Sequence, residues 1–375
     1  MRSPPNMLRL CRPQISPNAV DAVVRVLQSG NLVQGIEVQS FEAELAEYLG
    51  CEQTILVSSG TAALHLALMA IDIRPGDAVL VPDFTFPATG NVVSQLGARV
   101  VLVDVDPNTF TLDLLALERQ LRSWSGPERL RAVMPVHEFG APVAMDRLIT
   151  LAERFKLKVI EDAACALGAR YQGRRLGTWG ELGCFSFHPR KTLTTAEGGL
   201  LSTNNGALAD RLRALRSHGM VRSGGQVRFN QIGLNYRLTD LQAALGRHQL
   251  PNLDKWIARR RELAELYRLK LADLDEKGHL RLPLDLLGHS YQTFMIVLAS
   301  RYQRSDVIQR LAGMGIEANL GAQSLSELGL YGTQPTHLIS SELYRHGLAI
   351  PLHESLRDED VLHIVAALKK ILTES

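Results

Sequence analysis

Two periodicities alternate along the first half of the chain. The runs TILVSS, AVLVP, VVLVDV, AVMPVH and KVIEDA are short and almost continuously apolar, as strands buried on both faces are. Between them, stretches such as GTAALHLALMAI and PATGNVVSQLG carry apolar residues at helical spacing. Strand and helix in regular alternation predict an α/β fold, a mainly parallel sheet flanked by helices on both faces. Two further helices, PNAVDAVVRVLQSG and VQSFEAELAEYLG, precede this pattern and stop on Gly30 and Gly50, where a left-handed backbone can end a helix.

After Cys184 the rhythm changes. CFSF and GGLLSTN are strands whose connection has no room for a helix, so one of them is antiparallel or out of sequential order. LADRLRALRSHG reads as a helix and GGQVRF as a mobile polar loop. The long helical region that starts at TDLQAALG contains Pro251, which is expected to kink or split it. Beyond it, YQTFMIVLA reads as a strand, and SDVIQRLAGMG and DEDVLHIVAALKKIL as helices. These predict a smaller α+β domain over 251–375, behind a large domain over 1–250 that includes an N-terminal helical arm.

Composition narrows the function classes. The 375 residues suffice for two domains and a large core, and 46% hydrophobic with 21% charged residues is ordinary for a globular protein. A net charge of +2 and scattered basic residues argue against nucleic-acid binding. The densest basic cluster, Arg259-Arg260-Arg261 beside Glu262 and Glu265, reads as a solvated helix face. Cys11, Cys51, Cys165 and Cys184 show no CxxC spacing, so they support neither a zinc site nor a disulfide framework and read as buried thiols in a reducing compartment. MRSPPNMLRL lacks a signal-peptide core, and the longest apolar stretch, Ala62 to Ile71, is interrupted by His65 and too short to span a bilayer; a cytoplasmic protein is expected.

In an open parallel sheet, ligands bind outside the carboxyl ends of the strands, so the residues after each strand sample one rim. After TILV, Ser58-Ser59-Gly60-Thr61 opens a helix, which is either an anion site suited to phosphate or an ordinary N-cap. After AVLV, the aromatic pair of Asp83-Phe84-Thr85-Phe86 packs in the core or stacks on a planar ligand. KVI ends in Glu161 and Asp162, of which only one can face a given side; a strand-end acid also serves as a helix cap. CFSF supplies Ser186 and then His188-Pro189-Arg190-Lys191. Flanked by Arg190 and apolar strands, Lys191 is expected to lose protons, and a neutral amine attacks aldehydes; the plain alternative is a surface lysine in a turn. Together these groups match pyridoxal phosphate, which needs a lysine for its aldehyde, a carboxylate for its ring nitrogen and N–H and hydroxyl donors for its phosphate.

In order, the blocks SGNLVQG, SSGTAALHLAL, VPDFTFPAT, VDVDPNTF, PVHEFGAP, IEDAACALGA, CFSFHPRKTLTTAEGG, GLNYRLTDLQAALG and LAIPLHESL resemble the DegT/DnrJ/EryC1/StrS family of pyridoxal-phosphate-dependent sugar aminotransferases, from about Leu10 to the C-terminus. The resemblance implies a fold type I transferase with a seven-stranded main sheet. It makes Lys191 the lysine that bonds to the cofactor aldehyde and shuttles a proton, and Asp162 the partner of the pyridine nitrogen. It assigns Gly60, Thr61 and Ser186 to the phosphate and Phe86 to the ring, and has Asn235 reach the phosphate of the neighbouring subunit in a homodimer. The implied reaction moves an amino group, usually from L-glutamate, to a keto sugar linked to a nucleotide; a cyclitol or another non-nucleotide ketone is the alternative, and a non-enzymatic regulator has no need for the whole set. A subgroup with histidine in place of the lysine dehydrates instead, and Lys191 places this chain with the transaminases.

Two departures stand out. Cys165 occupies a position where many members have Gln or His, and EANLGAQSLSELGLY replaces a histidine-containing substrate segment, where Gln323 and Ser324 either take over polar contacts or belong to an ordinary surface loop. His137, His188 and Arg237 lie near the rim by the family pattern, and each also reads as a structural polar group.

Overall fold

The computed structural model describes residues 7–333, 335 and 337–374. The first six residues of the stretch read as lacking a signal peptide lie outside them. The alternating pattern folds as expected, into a seven-stranded sheet. Its strands lie in the order Gln53–Val57, Gly199–Thr203, Leu182–Ser186, Lys158–Asp162, Arg129–Val133, Asp77–Pro82 and Arg99–Val103. All neighbours are parallel except at Gly199–Thr203, which runs antiparallel to both of its partners and accounts for the short connection after Cys184.

Strand pleating sends alternate residues to opposite faces, and each face has its own core. Leu56, Leu80, Val101, Val133, Val159, Phe185 and Leu200 join one cluster; Ile55, Val79, Val100, Ala132, Ile160, Cys184 and Leu201 join the other. The helix Gly60–Ala70 packs wholly into the second cluster, which is why its pattern is apolar nearly all round. Gly30 and Gly50 end their helices at φ 73° and 71°.

Pro251 splits the long helical region. Asp240–Arg247 ends, a short turn Leu250–Asn252 follows, and the helix Leu253–Glu276 begins. Its first turns bury Leu253 and Ile257 in a sheet core, whereas Leu263, Tyr267, Leu271 and Leu274 belong to a third core. That third core is shared with the sheet Leu280–Arg281, Phe294–Leu298, Gly347–Ile350 and with the helices Arg304–Gly313 and Asp358–Thr373. A small fourth cluster joins Phe84 and Phe139 at the sheet rim to Met295, Val297, Ala322 and Leu343 of the C-terminal part. No described helix is long and apolar enough to cross a membrane.

Three expectations need correction. GGQVRF is not a polar loop: Met220–Ser223 and Gln226–Phe229 form an antiparallel hairpin across Gly224 and Gly225, whose φ of 57° and 78° suit the tight turn that strand twist favours. Arg260 is 1% exposed, so the triple arginine is not a solvated face. Its guanidinium pairs with Glu354 at 3.1 Å and donates to the carbonyls of Tyr291, Gln292 and Leu352. Of the four free cysteines only Cys184 is buried; Cys11, Cys51 and Cys165 are half-buried.

Candidate active site

The two acids at the end of Lys158–Asp162 face opposite ways, as the pleat requires. Glu161 accepts the N–H groups of Gly177, Trp179 and Gly180 at 2.6–2.8 Å and meets His137 Nε2 at 3.0 Å. His137 Nδ1 accepts the Val143 N–H, so its ring proton lies on Nε2. Both side chains are buried and occupied in holding loops, which makes His137 a structural residue. Asp162 accepts a hydrogen bond from Thr89 Oγ1 at 2.8 Å and from the Ala164 N–H at 3.1 Å. Burial raises its pKa, and these two bonds together with Lys191 work in the opposite direction.

The neighbouring strand, Leu182–Ser186, leads into the turn that carries Lys191, whose N–H donates to the His188 carbonyl at 2.8 Å. Gln292 grips that turn on both sides, accepting the Thr192 N–H and hydroxyl at 2.9 Å and donating to the Arg190 carbonyl at 2.5 Å. Sequence reasoning missed Gln292, because it lies a hundred residues away within an apolar strand pattern. Lys191 Nζ stands 2.9 Å from Cys165 Sγ. The expectation of a neutral-leaning lysine is overturned. Burial lowers its pKa, but the contact with Cys165 and the charges of Glu138 and Asp162 more than offset it, and the net shift is upward. Arg190, expected to repel Lys191, is exposed.

Gly60, Thr61 and Ser186 meet where two strands end. Ser59 is the N-cap, its Oγ accepting the Ala62 N–H at 3.0 Å. The Gly60 and Thr61 N–H groups are left without an intrahelical acceptor, and the Thr61 side chain is exposed. A Cβ on Gly60 would come within 2.8 Å of Ser186 Cβ. Gly60→Ala is therefore expected to force the helix start and Ser186 apart, at about 1–3 kcal/mol, and to raise the Kd for cofactor at least about tenfold. Titration of the cofactor-free protein checks this, and an unchanged Kd removes the pair from the phosphate cradle.

The aromatic pair divides. Phe84 is fully buried, whereas Phe86 is 71% exposed and keeps a free ring face at the rim. Asn235 is exposed on a segment tied to the same rim, since the Tyr236 carbonyl accepts the Ser58 N–H at 2.9 Å and Arg237 bridges Val57. His188 Nδ1 accepts the Arg190 N–H at 3.2 Å, so half of its ring serves the turn. In the divergent segment, Gln323–Ser324 pairs with Phe84–Thr85, and Ser324 is buried against Asp83 at 3.2 Å. Ser324 is thus structural, and Gln323 remains half-buried beside the rim.

A model of the DegT/DnrJ/EryC1/StrS aminotransferase family matches residues 13–369. The chain belongs to this family. It is 36% identical to GDP-perosamine synthase of Caulobacter vibrioides over 97% of this chain and 98% of that one. The fold matches the aminotransferase TlmJ of Streptoalloteichus hindustanus with a TM-score of 0.91 at 30% identity, over 98% and 99% of the two chains. It also matches the PLP form of the sugar aminotransferase Spr1654 of Streptococcus pneumoniae, described as putative, with a TM-score of 0.89 at 25% identity over 98% and 99%. The protein is accordingly a pyridoxal-phosphate-dependent aminotransferase of the α/β, fold type I class. The residues present fit that cofactor: a cradle that a Cβ would fill, a buried carboxylate held by Thr89 and Ala164, and an amine beside them.

Proposed function

We propose that this aminotransferase takes an amino group from L-glutamate and delivers it to the keto group of a nucleotide-linked sugar, in amino-sugar biosynthesis for a surface polysaccharide or a glycosylated metabolite. The observation that carries this reading is the convergence of Lys191, Asp162 and the Gly60–Ser186 cradle at adjacent strand ends. The likeness to a GDP-perosamine synthase makes a GDP-linked keto sugar the first acceptor to assay.

Bound there, pyridoxal phosphate supplies an aldehyde that captures amines and a ring that accepts the electrons of a broken C–H bond. Lys191 would hold the cofactor through Nζ and, as a free amine, would carry the proton that the reaction moves. Asp162, once ionised, would hold the proton on the pyridine nitrogen. Gly60, Thr61 and Ser186 hold the phosphate through N–H and hydroxyl donors. Phe86 would lie against its ring, and Asn235 would serve the phosphate site of a second subunit.

The homodimer this requires is supported by apolar side chains with no cover in the single chain, Ile36, Phe229 and Ile232, the last 90% exposed. A cytoplasmic location accords with the cysteine usage. We place the division between the two domains near residue 250, with the helix Leu253–Glu276 spanning their cores.

Addition of L-glutamate to the yellow holoenzyme is expected to bleach its visible band, and a GDP-linked keto sugar to restore it. Bleaching by another amino acid alone revises the donor. Failure of nucleoside diphosphates to compete with the acceptor counts against a nucleotide-linked substrate and favours a cyclitol or other free ketone.

A further inference from the structure

The two peptide units that flank the Lys191 Cα are held by one side chain. The Arg190 carbonyl belongs to the unit before Lys191, and the Thr192 N–H to the unit after it. Gln292 donates through Nε2 to the first at 2.5 Å and accepts through Oε1 from the second at 2.9 Å. The Lys191 N–H donates to the His188 carbonyl at 2.8 Å, which ties down the other end of the first unit. A peptide unit is a rigid plane, so the orientation of two successive planes fixes φ and ψ of the residue between them. That fixes in turn the direction of Cα–Cβ, the root from which Lys191 Nζ extends.

The task selects the residue type. One planar group has to donate at one edge and accept at the other while staying uncharged. A carboxamide does so at every pH, whereas a carboxylate only accepts and an ammonium only donates. The Thr192 hydroxyl donates to the same Oε1 at 2.9 Å and fills its second lone pair. Gln292 and Thr192 are each 8% exposed, so water is poorly placed to stand in for the amide.

The clamp is anchored outside the turn. The Gln292 N–H donates to the Phe139 carbonyl at 2.8 Å, and the Gln292 carbonyl accepts from Arg260 at 3.2 Å. The first bond joins it to the short turn Glu138–Gly140, and the second to the helix Leu253–Glu276, where Glu354 locks Arg260. A second buried amide, Gln249, grips the same loop further on, accepting the Thr194 N–H at 3.1 Å and donating to the Thr194 carbonyl at 2.7 Å. Gln249 leaves the planes beside Lys191 alone.

We infer that Gln292 is a positioning residue for the transamination: its amide sets the backbone of Lys191, and with it the aim of Nζ, from the C-terminal part of the chain. It acts through Lys191. A reacting group displaced by about 1 Å loses about 10²-fold in rate, so a clamp on the root of a long, flexible side chain has a large effect to supply.

The inference rests on the assignment of Lys191 as the reacting amine, and its test keeps the two apart. Gln292→Leu removes all three side-chain bonds while keeping an apolar filling. In the cofactor-free full chain, exchange of the Thr192 amide hydrogen, followed by NMR, is expected to quicken about tenfold. With cofactor, kcat for L-glutamate is expected to fall about 10²-fold at unchanged KM, the pattern of a loss confined to the reacting geometry. The rate at which added pyridoxal phosphate develops its visible band should fall in parallel. Gln292→Glu adds a pH readout. Its carboxyl accepts from Thr192 in either state but donates to the Arg190 carbonyl only when protonated. The ratio of its kcat to the wild-type value is therefore expected to climb as pH falls, and the same ratio for Gln292→Leu to stay flat.

A purely structural role would lower melting temperature or cofactor affinity in Gln292→Leu, preserve kcat per bound cofactor and give Gln292→Glu a flat ratio; that result overturns the inference. An equal loss of kcat in Gln249→Leu overturns it too, because that change loosens the loop without freeing the planes beside Lys191. If Gln292→Leu does not fold, the pH ratio of Gln292→Glu decides. Faster Thr192 exchange in a protein whose Lys191 attaches no cofactor would keep the clamp and remove the aminotransferase reading.

Discussion

Lys191→Ala is expected to lose the visible cofactor band and to lower kcat by at least about 10³-fold, the upper part of the range for removing a positioned acid–base group. Neither basic neighbour in the turn replaces the lost amine. Arg190 is exposed and its guanidinium does not deprotonate, and the His188 ring already spends one nitrogen on the Arg190 N–H. The cradle and Asp162 are untouched by the substitution, so cofactor should still bind, reversibly and without covalent attachment. Absorbance after dialysis reads the first effect, and single-turnover kinetics with L-glutamate read the second. Activity within tenfold of wild type would show that another base moves the proton.

Arg260→Ala is expected to cost about 3–5 kcal/mol, the range for breaking a buried ion pair and leaving its partner charge alone. Such a loss is a large share of the total stability of a domain. Glu354 and the carbonyls of Tyr291, Gln292 and Leu352 would all lose a donor in a region closed to water. The effect reaches the site, because the Gln292 side chain grips both flanks of Lys191. Urea unfolding measures the stability, and kcat should fall along with it. If Arg260→Ala costs under 1 kcal/mol, the pair is decoration and the C-terminal part is held by its apolar core alone. Glu354→Leu combined with Arg260→Met would recover much of the loss, since removing both charges leaves none stranded.

The parts of the site legible in the sequence are those written as local strings. A strand followed by SSGT, a strand ending in ED and a strand running into HPRK each carry their chemistry within a few residues of a recognisable element, and the sheet then gathers the ends. Gln292 and Glu138 were not legible, because each owes its position to packing between distant segments. Glu138 stands in PVHEFGAP with no sequence signal of its own, and the short turn Glu138–Gly140 buries it. Arg260 did leave a signal. It falls on the stripe Leu253, Ile257, Arg260, Ala264, Tyr267, Leu271 and Leu274, spaced alternately by four and three residues, so its burial follows from helix geometry. The upward shift at Lys191 is not written in its own string, because Cys165, Glu138 and Asp162 act on it through space, whereas Arg190 is its neighbour in sequence.

Glu161 has a consequence for how this enzyme tolerates length changes. Its carboxylate is clamped by three backbone N–H groups and His137 on one side of the sheet, and Asp162 lies on the other. Slipping the strand by one residue would exchange the two acids, putting the longer side chain beside Thr89 and Ala164 and the shorter one among donors it cannot reach. The clamp therefore fixes the phase of the strand. An insertion or deletion of one residue near Leu157 would be resisted by Glu161 before it could displace Asp162, so the acid clamped among the loops keeps the other one in place.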